Sequence, residues 1–350
     1  MRILFIHHVV ADRGSAQDMH HYVQVARELG HEVVLYGRSD RCSAFEYSVD
    51  VRPSDLVAFI FEWTTELQQG DHLDLIRLVA RVPREQRVVI DCDGKYNDAI
   101  AVVGDVNHPD AESARRWVEI CDSLADKICQ PTLHPLRPNV QPFFFHAYDP
   151  AWETPIEFDG KDFGMVYVGN NWFRWRPMHR VLQALEPVRA AVGRIGIIGH
   201  GWDSPAPWAG PAMVKDAWFT DPDYLKRLDV EVFPPVRFDQ VVPMMGRGVF
   251  SPVVYRPLFD HLSLVTCRTF ETPAAGTIPL FAQTPEYVAE IYGVEAVALT
   301  LPEEAPEEKL EDLLRRPRHY ATVVEGVRQR LAEEHSYAAR LRTLVDILER

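Results

Sequence analysis

The feature that most constrains this chain is the way short apolar runs alternate with stretches of helical periodicity. The first run, MRILFIHHVV, is rich in branched residues and reads as a strand buried on both faces of a parallel sheet. Gly14 and Ser15 then supply a turn and a helix start. Met19, Tyr22, Val23, Ala26 and Leu29 recur at helical spacing, and Gly30 stops the pattern before a second strand, EVVLYG. Strand, helix and strand within about 30 residues form one βαβ unit with a right-handed crossover.

The alternation continues through DLVAFIFEW, the helical DLIRLVARV, the strand RVVIDCDG, the helical ESARRWVEICDSL and the strand DKICQ. It lapses near His134 to Gly160, a stretch rich in Pro and aromatic residues, and resumes with the strand FGMVYVG, the helix RPMHRVLQALEPVRAAV and the strand RIGIIGHG. GVFSPVV, a helix expected to begin near Glu271, and the strand GTIPLF follow. The predicted fold class is α/β: two Rossmann-like doubly wound domains, residues 1–150 and 151–350, facing across a cleft. A length of 350 residues suits two domains. The C-terminal segment reads as helices with a solvated, mixed-charge face, the last of them expected to pack back on the first domain.

Composition narrows the function classes. With 37 Lys+Arg against 51 Asp+Glu the formal net charge is -14, a field that repels phosphate backbones and anionic lipid surfaces. Nucleic acid and membrane are therefore not expected as partners. No apolar run approaches the ~18 to 20 residues of a membrane span and the N-terminus does not resemble a signal peptide, so a cytoplasmic location is expected. Cys42, Cys92, Cys121, Cys129 and Cys267 are odd in number and scattered without a C-x-x-C pair, which points to core thiols.

MRILFIHH…RGSAQDMHHYVQVARELGHEVVLYG, SLADKICQPT and NVQPFFFHAYDPAWE in the first half, and MVYVGNNWFRWRPMHRVLQAL, RIGIIGHG, GVFSPVVYRPLFDHLSLVTCRTFETPAAGTIPLFAQTPEYVAEIYG and RLAEEHSYAARLRTLV in the second, resemble glycosyltransferases of the GT-B fold. The likeness is to family 4, with a CgeB-like C-terminal part, and it covers nearly the whole chain. It implies a retaining transfer of a sugar from a nucleotide diphosphate sugar, UDP-linked first and GDP-linked next, to an acceptor. It also implies donor binding on the second domain and acceptor binding on the first. The family's paired acids stand seven residues apart; Glu271 fits the second position, whereas the first falls on Ser263. Arg268 fits the Arg that the CgeB-like branch often carries instead. The basic residue expected about six past the strand's glycine falls between Arg174 and Arg176, five and seven past Gly169.

Breaking the bond to a diphosphate builds charge on the leaving oxygen, which fixed cations and oriented N–H groups stabilise without requiring a metal. Gly169, Asn170, Arg174, Arg176 and Arg180 lie between a strand and a helix start, where a phosphate is favoured; a solvated basic helix end is the plain alternative. Glu271 could accept both ribose hydroxyls, with Thr272 assisting at the phosphates and Arg268 beside it; a helix-terminal charge is its plain alternative. Gly14 permits close backbone approach. Acceptor candidates are His8, Ser15, Asp18, Glu62, Lys95 and Trp63, while of the adjacent His20 and His21 only one can face a site. Asp93 or Lys95 occupies the place where the family commonly has a donor-contacting His, which makes Asp93 a catalytic candidate alongside Arg176 and Glu271. Asp91 and Asp93 could be read as a D-x-D metal motif, but two Rossmann halves argue against that fold, so neither metal nor cofactor is expected. The partners expected are a nucleotide-sugar donor and a small soluble acceptor such as a secondary metabolite; a homodimer is compatible. An epimerase, a non-sugar coupling enzyme and a degenerate nucleotide-binding protein are the competing readings.

Overall fold

In the computed structural model, the residues described are 1–7, 14–36, 47–62, 81–206 and 217–350. The helix expected from DLIRLVARV, together with His8, Arg13, Cys42 and Trp63, falls outside them or nearly so. In chain order the strands are β1 (Arg2–His7), β2 (Glu32–Tyr36), β3 (Tyr47–Ser48), β4 (Leu56–Phe61), β5 (Arg87–Asp91), β6 (Ala101–Val102), β7 (Asp105–Val106), β8 (Lys127–Gln130) and β9 (Val140–Pro142). The second series is β10 (Phe163–Val168), β11 (Ile195–Ile198), β12 (Val230–Phe233), β13 (Gly248–Val253) and β14 (Ile278–Phe281).

Two parallel sheets result, ordered β3-β2-β1-β4-β5-β8-β9 and β12-β11-β10-β13-β14; β6 and β7 form a separate antiparallel hairpin. In the first, Phe5 aligns with Leu35 on one side and Ala58 on the other. All six residues of β4 and of β10 are buried, as continuous apolar runs in doubly covered parallel sheets should be. The edge strands β9 and β12 and the hairpin were not expected: they are short, half exposed, and carry Pro or acidic residues. An edge position tolerates Pro142 because the missing N–H costs no ladder bond.

The helices that position the site are α1 (Gly14–Glu28), α2 (Ala111–Leu124), α3 (Trp175–Leu185), α4 (Cys267–Ala274), α5 (Pro317–Glu334) and α6 (Tyr337–Glu349). α4 corrects one expectation. It begins at Cys267, because Thr266 and Thr269 form a reciprocal capping box. Glu271 therefore sits in the second turn, and Ala274, Ala275 and Gly276 end the helix instead of starting one. The small residues let the interdomain segment and α5 come close: Thr154 N–H donates to Ala274 O at 3.1 Å, and buried Arg328 donates to Pro273 O at 2.8 Å and Ala275 O at 2.9 Å. Those bonds satisfy the orphan carbonyls of the helix end. α6 packs on the first sheet, Leu341, Leu344 and Leu348 sharing one core with Ile3, Phe5 and Ile90. Tyr148 N–H, in the interdomain segment, donates to His335 O at 2.8 Å, so both covalent connections between the halves run side by side.

Candidate functional site

A narrow crevice lies between the halves, walled by Gln17 and Asp18 of α1, Cys267 and Glu271 of α4, Tyr337 of α6 and Trp152. On the C-terminal wall, the α4 geometry puts Arg268 and Glu271 on one face, three residues apart, and their side chains form an ion pair through Arg268 Nη1 and Glu271 Oε2. Glu271 is buried, and its other oxygen, Oε1, has no hydrogen-bond partner among the described residues. A buried carboxylate oxygen without a donor is costly, and a ligand hydroxyl would supply one. Burial pushes the Glu271 carboxyl above its usual range, opposed by Arg268. Burial, reinforced by Glu271, likewise holds the neighbouring Cys267 thiol well up.

The loop after β10 belongs to the same half as α4. Gly169 O accepts from the Trp202 indole at 2.8 Å and Asn170 Oδ1 accepts from His200 N–H at 2.9 Å, which pins the loop backbone. Arg174 is half buried and donates to Asn170 O and Trp172 O, both at 3.3 Å. Arg174 and Arg268 both bear electrostatically on the buried Tyr167 hydroxyl, so they flank the same spot. Arg176 is exposed and points out from the start of α3. Of the two arginines the sequence left open, Arg174 is the half-buried one, held by the backbone of its own loop.

The opposite wall gathers residues from four segments. Asp18, buried in the second turn of α1, accepts from Tyr337 Oη at 2.7 Å and lies 3.0 Å from His146 Nδ1. His146 comes from the interdomain run FFFHAYD, and its other nitrogen lies 4.0 Å from Glu62 Oε1, just past β4. A ring hydrogen-bonded to one carboxylate and facing a second favours the doubly protonated imidazolium. Burial works against that charge, but Asp18, with Glu62 and Glu271 behind it, outweighs burial and lifts His146 to about 9. His21 is spent elsewhere, 3.1 Å from Asp149 and stacked on Tyr337 with ring centroids 4.6 Å apart, while His20 is exposed.

Asp18, Glu62, Arg268 and Glu271 are thus brought together. Asp93 lies on the loop at the carboxyl end of β5, its N–H donating to Asp91 Oδ1 at 3.3 Å. Asp91 is buried and accepts from Tyr96 N–H at 2.7 Å and Gln130 Nε2 at 2.8 Å, so it holds the loop and does not offer a D-x-D pair to a metal. Two further candidates turn away from the crevice. Lys95 Nζ donates to Asn107 O, and burial lowers its pKa. Thr272 is buried with Oγ1 3.6 Å from Met245 Sδ, because a residue one step along a helix from Glu271 points about 100° away. Gly14 and Ser15 form the first two residues of α1. Sequence reasoning missed His146 and Tyr337; the one available signal was a lone His in an aromatic run.

Residues 176–346 match a family model described as Glycosyl transferase-like. A search of curated proteins finds no match. Among solved structures, an alpha-glucosyltransferase in complex with UDP and a 13-mer DNA containing a central A:G mismatch is 14% identical, with all of both chains covered and a TM-score of 0.64. T4 phage BGT in complex with its UDP-glucose substrate is 12% identical over all of both chains, with a TM-score of 0.59. The DNA modifying enzyme beta-glucosyltransferase is 11% identical over the same coverage, with a TM-score of 0.57. The chain has the α/β architecture of GT-B glycosyltransferases, and residues 176–346 carry a glycosyl transferase-like domain. The exclusion of nucleic acid drawn from net charge does not stand: chains of this same fold bind DNA, and a summed charge does not describe the local field at a cleft. Among the described residues no helix is long and apolar enough to cross a membrane.

Proposed function

We propose that this protein is a retaining glycosyltransferase that takes a UDP-linked sugar as donor, with residues 151–350 holding the donor and residues 1–150 the acceptor. The observation that carries the reading is Glu271 Oε1, buried and without a donor among the described residues, at the crevice wall beside Arg268. The ribose hydroxyls donate to that oxygen. Arg174 and Arg268 neutralise the diphosphate, so the leaving group needs no metal ion. The UDP and UDP-glucose of the structural neighbours support the choice of nucleotide. The finer placement within family 4 and the CgeB-like branch rests on the sequence motifs.

His146 is held as a cation, so it does not act as the base. The acceptor hydroxyl attacks the anomeric carbon on the face from which the phosphate departs, the bond from that carbon to the β-phosphate oxygen breaks, and the hydroxyl proton passes to the leaving phosphate. With its nitrogens turned to Asp18 and Glu62, His146 supports the site as a buried cation and not as a donor to the reacting oxygens, and Asp93 stands on the acceptor side. The test is turnover of a UDP-sugar panel against small hydroxyl compounds and against DNA containing an HMU base, with the products resolved by mass spectrometry and NMR. A glycosylated product of retained anomeric configuration, formed equally well with a chelator present, is expected. An inverted product would overturn the mechanism, and an altered sugar released without any acceptor would replace transfer with epimerisation.

A further inference from the structure

The β6–β7 hairpin of the first half is tied to Arg256 and Leu258 of the second. At its root, Asn107 donates to Gly94 O at 3.3 Å and Asp98 O at 3.0 Å and accepts from Ile100 N–H at 2.8 Å, which welds the hairpin to the loop carrying Asp93 and Lys95. Gly94 adopts a positive φ of 69°, which favours glycine, and a Cβ there would lie 2.6 Å from the end of the Leu262 side chain of the other half. Across the gap, Asp105 is buried and accepts from Arg256 Nε at 2.7 Å and from Leu258 N–H at 3.0 Å, while Arg256 Nη2 pairs with its second oxygen.

Arg256 carries this contact onward. Its guanidinium is stacked between Phe173 and Phe259, 4.6 Å and 5.0 Å from the ring centroids. Phe173 has a φ of 55°, a left-handed conformation disfavoured for a bulky side chain and maintained only where the surroundings impose it. What imposes it is the Phe173 N–H bond to Ala217 O at 2.6 Å and the ring's contacts with Arg256 and Trp172. The next residue is Arg174.

We infer that Arg256, locked to Asp105 of the opposite half, is a positioning residue for the donor diphosphate, holding Phe173 in its strained conformation so that Arg174, the next residue, is held in place when the halves are engaged. The inference rests on the donor reading of Arg174 given above. Direct coupling predicts a double-mutant signature that a general loss of packing does not produce.

The experiment is calorimetric titration of UDP into Arg256→Lys, Arg256→Ala, Arg174→Ala and the Arg174→Ala/Arg256→Ala double variant, with circular dichroism to establish folding. Arg256→Lys keeps a charge beside Asp105 but loses the flat, bidentate fork. It should raise the UDP dissociation constant several-fold, and Arg256→Ala about tenfold. The double variant should match Arg174→Ala within about twofold, because Arg256 acts through Arg174. A folded Arg256→Lys or Arg256→Ala protein binding UDP as tightly as wild type, or a double variant whose losses simply add, overturns the inference alone. An Arg174→Ala protein binding UDP like wild type removes the donor reading and this inference with it.

Discussion

The two walls of the crevice are built on different plans. On the C-terminal wall the charged groups come from short stretches: Arg268 and Glu271 lie one helical turn apart on α4, and Arg174 five residues past Gly169 on the loop after β10. On the N-terminal wall Asp18, Glu62, His146 and Tyr337 come from a helix, a strand end, the interdomain segment and the final helix. The first wall holds Glu271 Oε1 with no donor among the described residues; the second holds its buried imidazole on Asp18 at 3.0 Å, with Glu62 4.0 Å from the other nitrogen. Groups drawn from a helical turn and a nearby loop can be set by local structure, whereas a wall drawn from four segments forms only when the whole chain is folded around it. Under the proposed function, ligand recognition falls to the first and electrostatic support, with registry between the halves, to the second.

The comparison breaks most readily at Glu271. Glu271→Ala should lower turnover about a thousandfold, the scale on which preorganised polar groups of active sites act. Steady-state assays on a sample with native circular dichroism would show it.

The imidazolium comes next. A folded-state value near 9 against an ordinary 6.5 means that His146 binds its proton more tightly in the native protein. The stability this contributes, roughly 3 kcal/mol, is fully present below pH 6.5 and is lost as pH rises through about 9. His335 supplies the opposite sign within the same interdomain region. Burial, aided by Arg340, lowers it to about 3, so its neutral form is the native one and stability falls as pH drops from 6.5 toward 3. Urea midpoints across pH should therefore decline on the alkaline side in wild type, and less steeply in His146→Gln.

Tyr337→Phe removes one of the hydrogen bonds on Asp18 and should cost about 1 to 2 kcal/mol of unfolding free energy, with a smaller change in UDP affinity, since the residue supports the N-terminal wall. The smallest effect sharpens the other wall. Arg174→Ala should weaken UDP binding about tenfold and Arg176→Ala less than twofold, because the first is half buried and held by its loop while the exposed second is screened by solvent.

The same contrast explains what could be read from the sequence. Strands such as β1, β4, β5 and β10 declare themselves as unbroken apolar runs because both faces of a parallel sheet are covered. β9, β12 and the β6–β7 hairpin are short and half exposed, so they carry no such pattern. Glu271 and Arg268 were singled out by the resemblance to glycosyltransferase motifs, not by spacing along a helix. The phase of α4 was not legible, since its start is set by the Thr266 and Thr269 capping box, and Thr272 was accordingly placed on the wrong side. No spacing links His146 to Asp18, 128 residues away, or Tyr337 to Asp18, 319 residues away. Only the return of α6 to the first sheet brings them together.

The central claim is that Glu271 Oε1 waits for a ribose hydroxyl. Calorimetry with UDP and 2′-deoxy-UDP, on wild type and Glu271→Gln, tests it directly. Wild type should bind UDP about tenfold more tightly than the deoxy ligand, the worth of one hydrogen bond to a charged group, and Glu271→Gln should reduce that preference to about twofold or less. Equal binding of the two ligands by wild type, or a full preference retained in Glu271→Gln, would contradict the account.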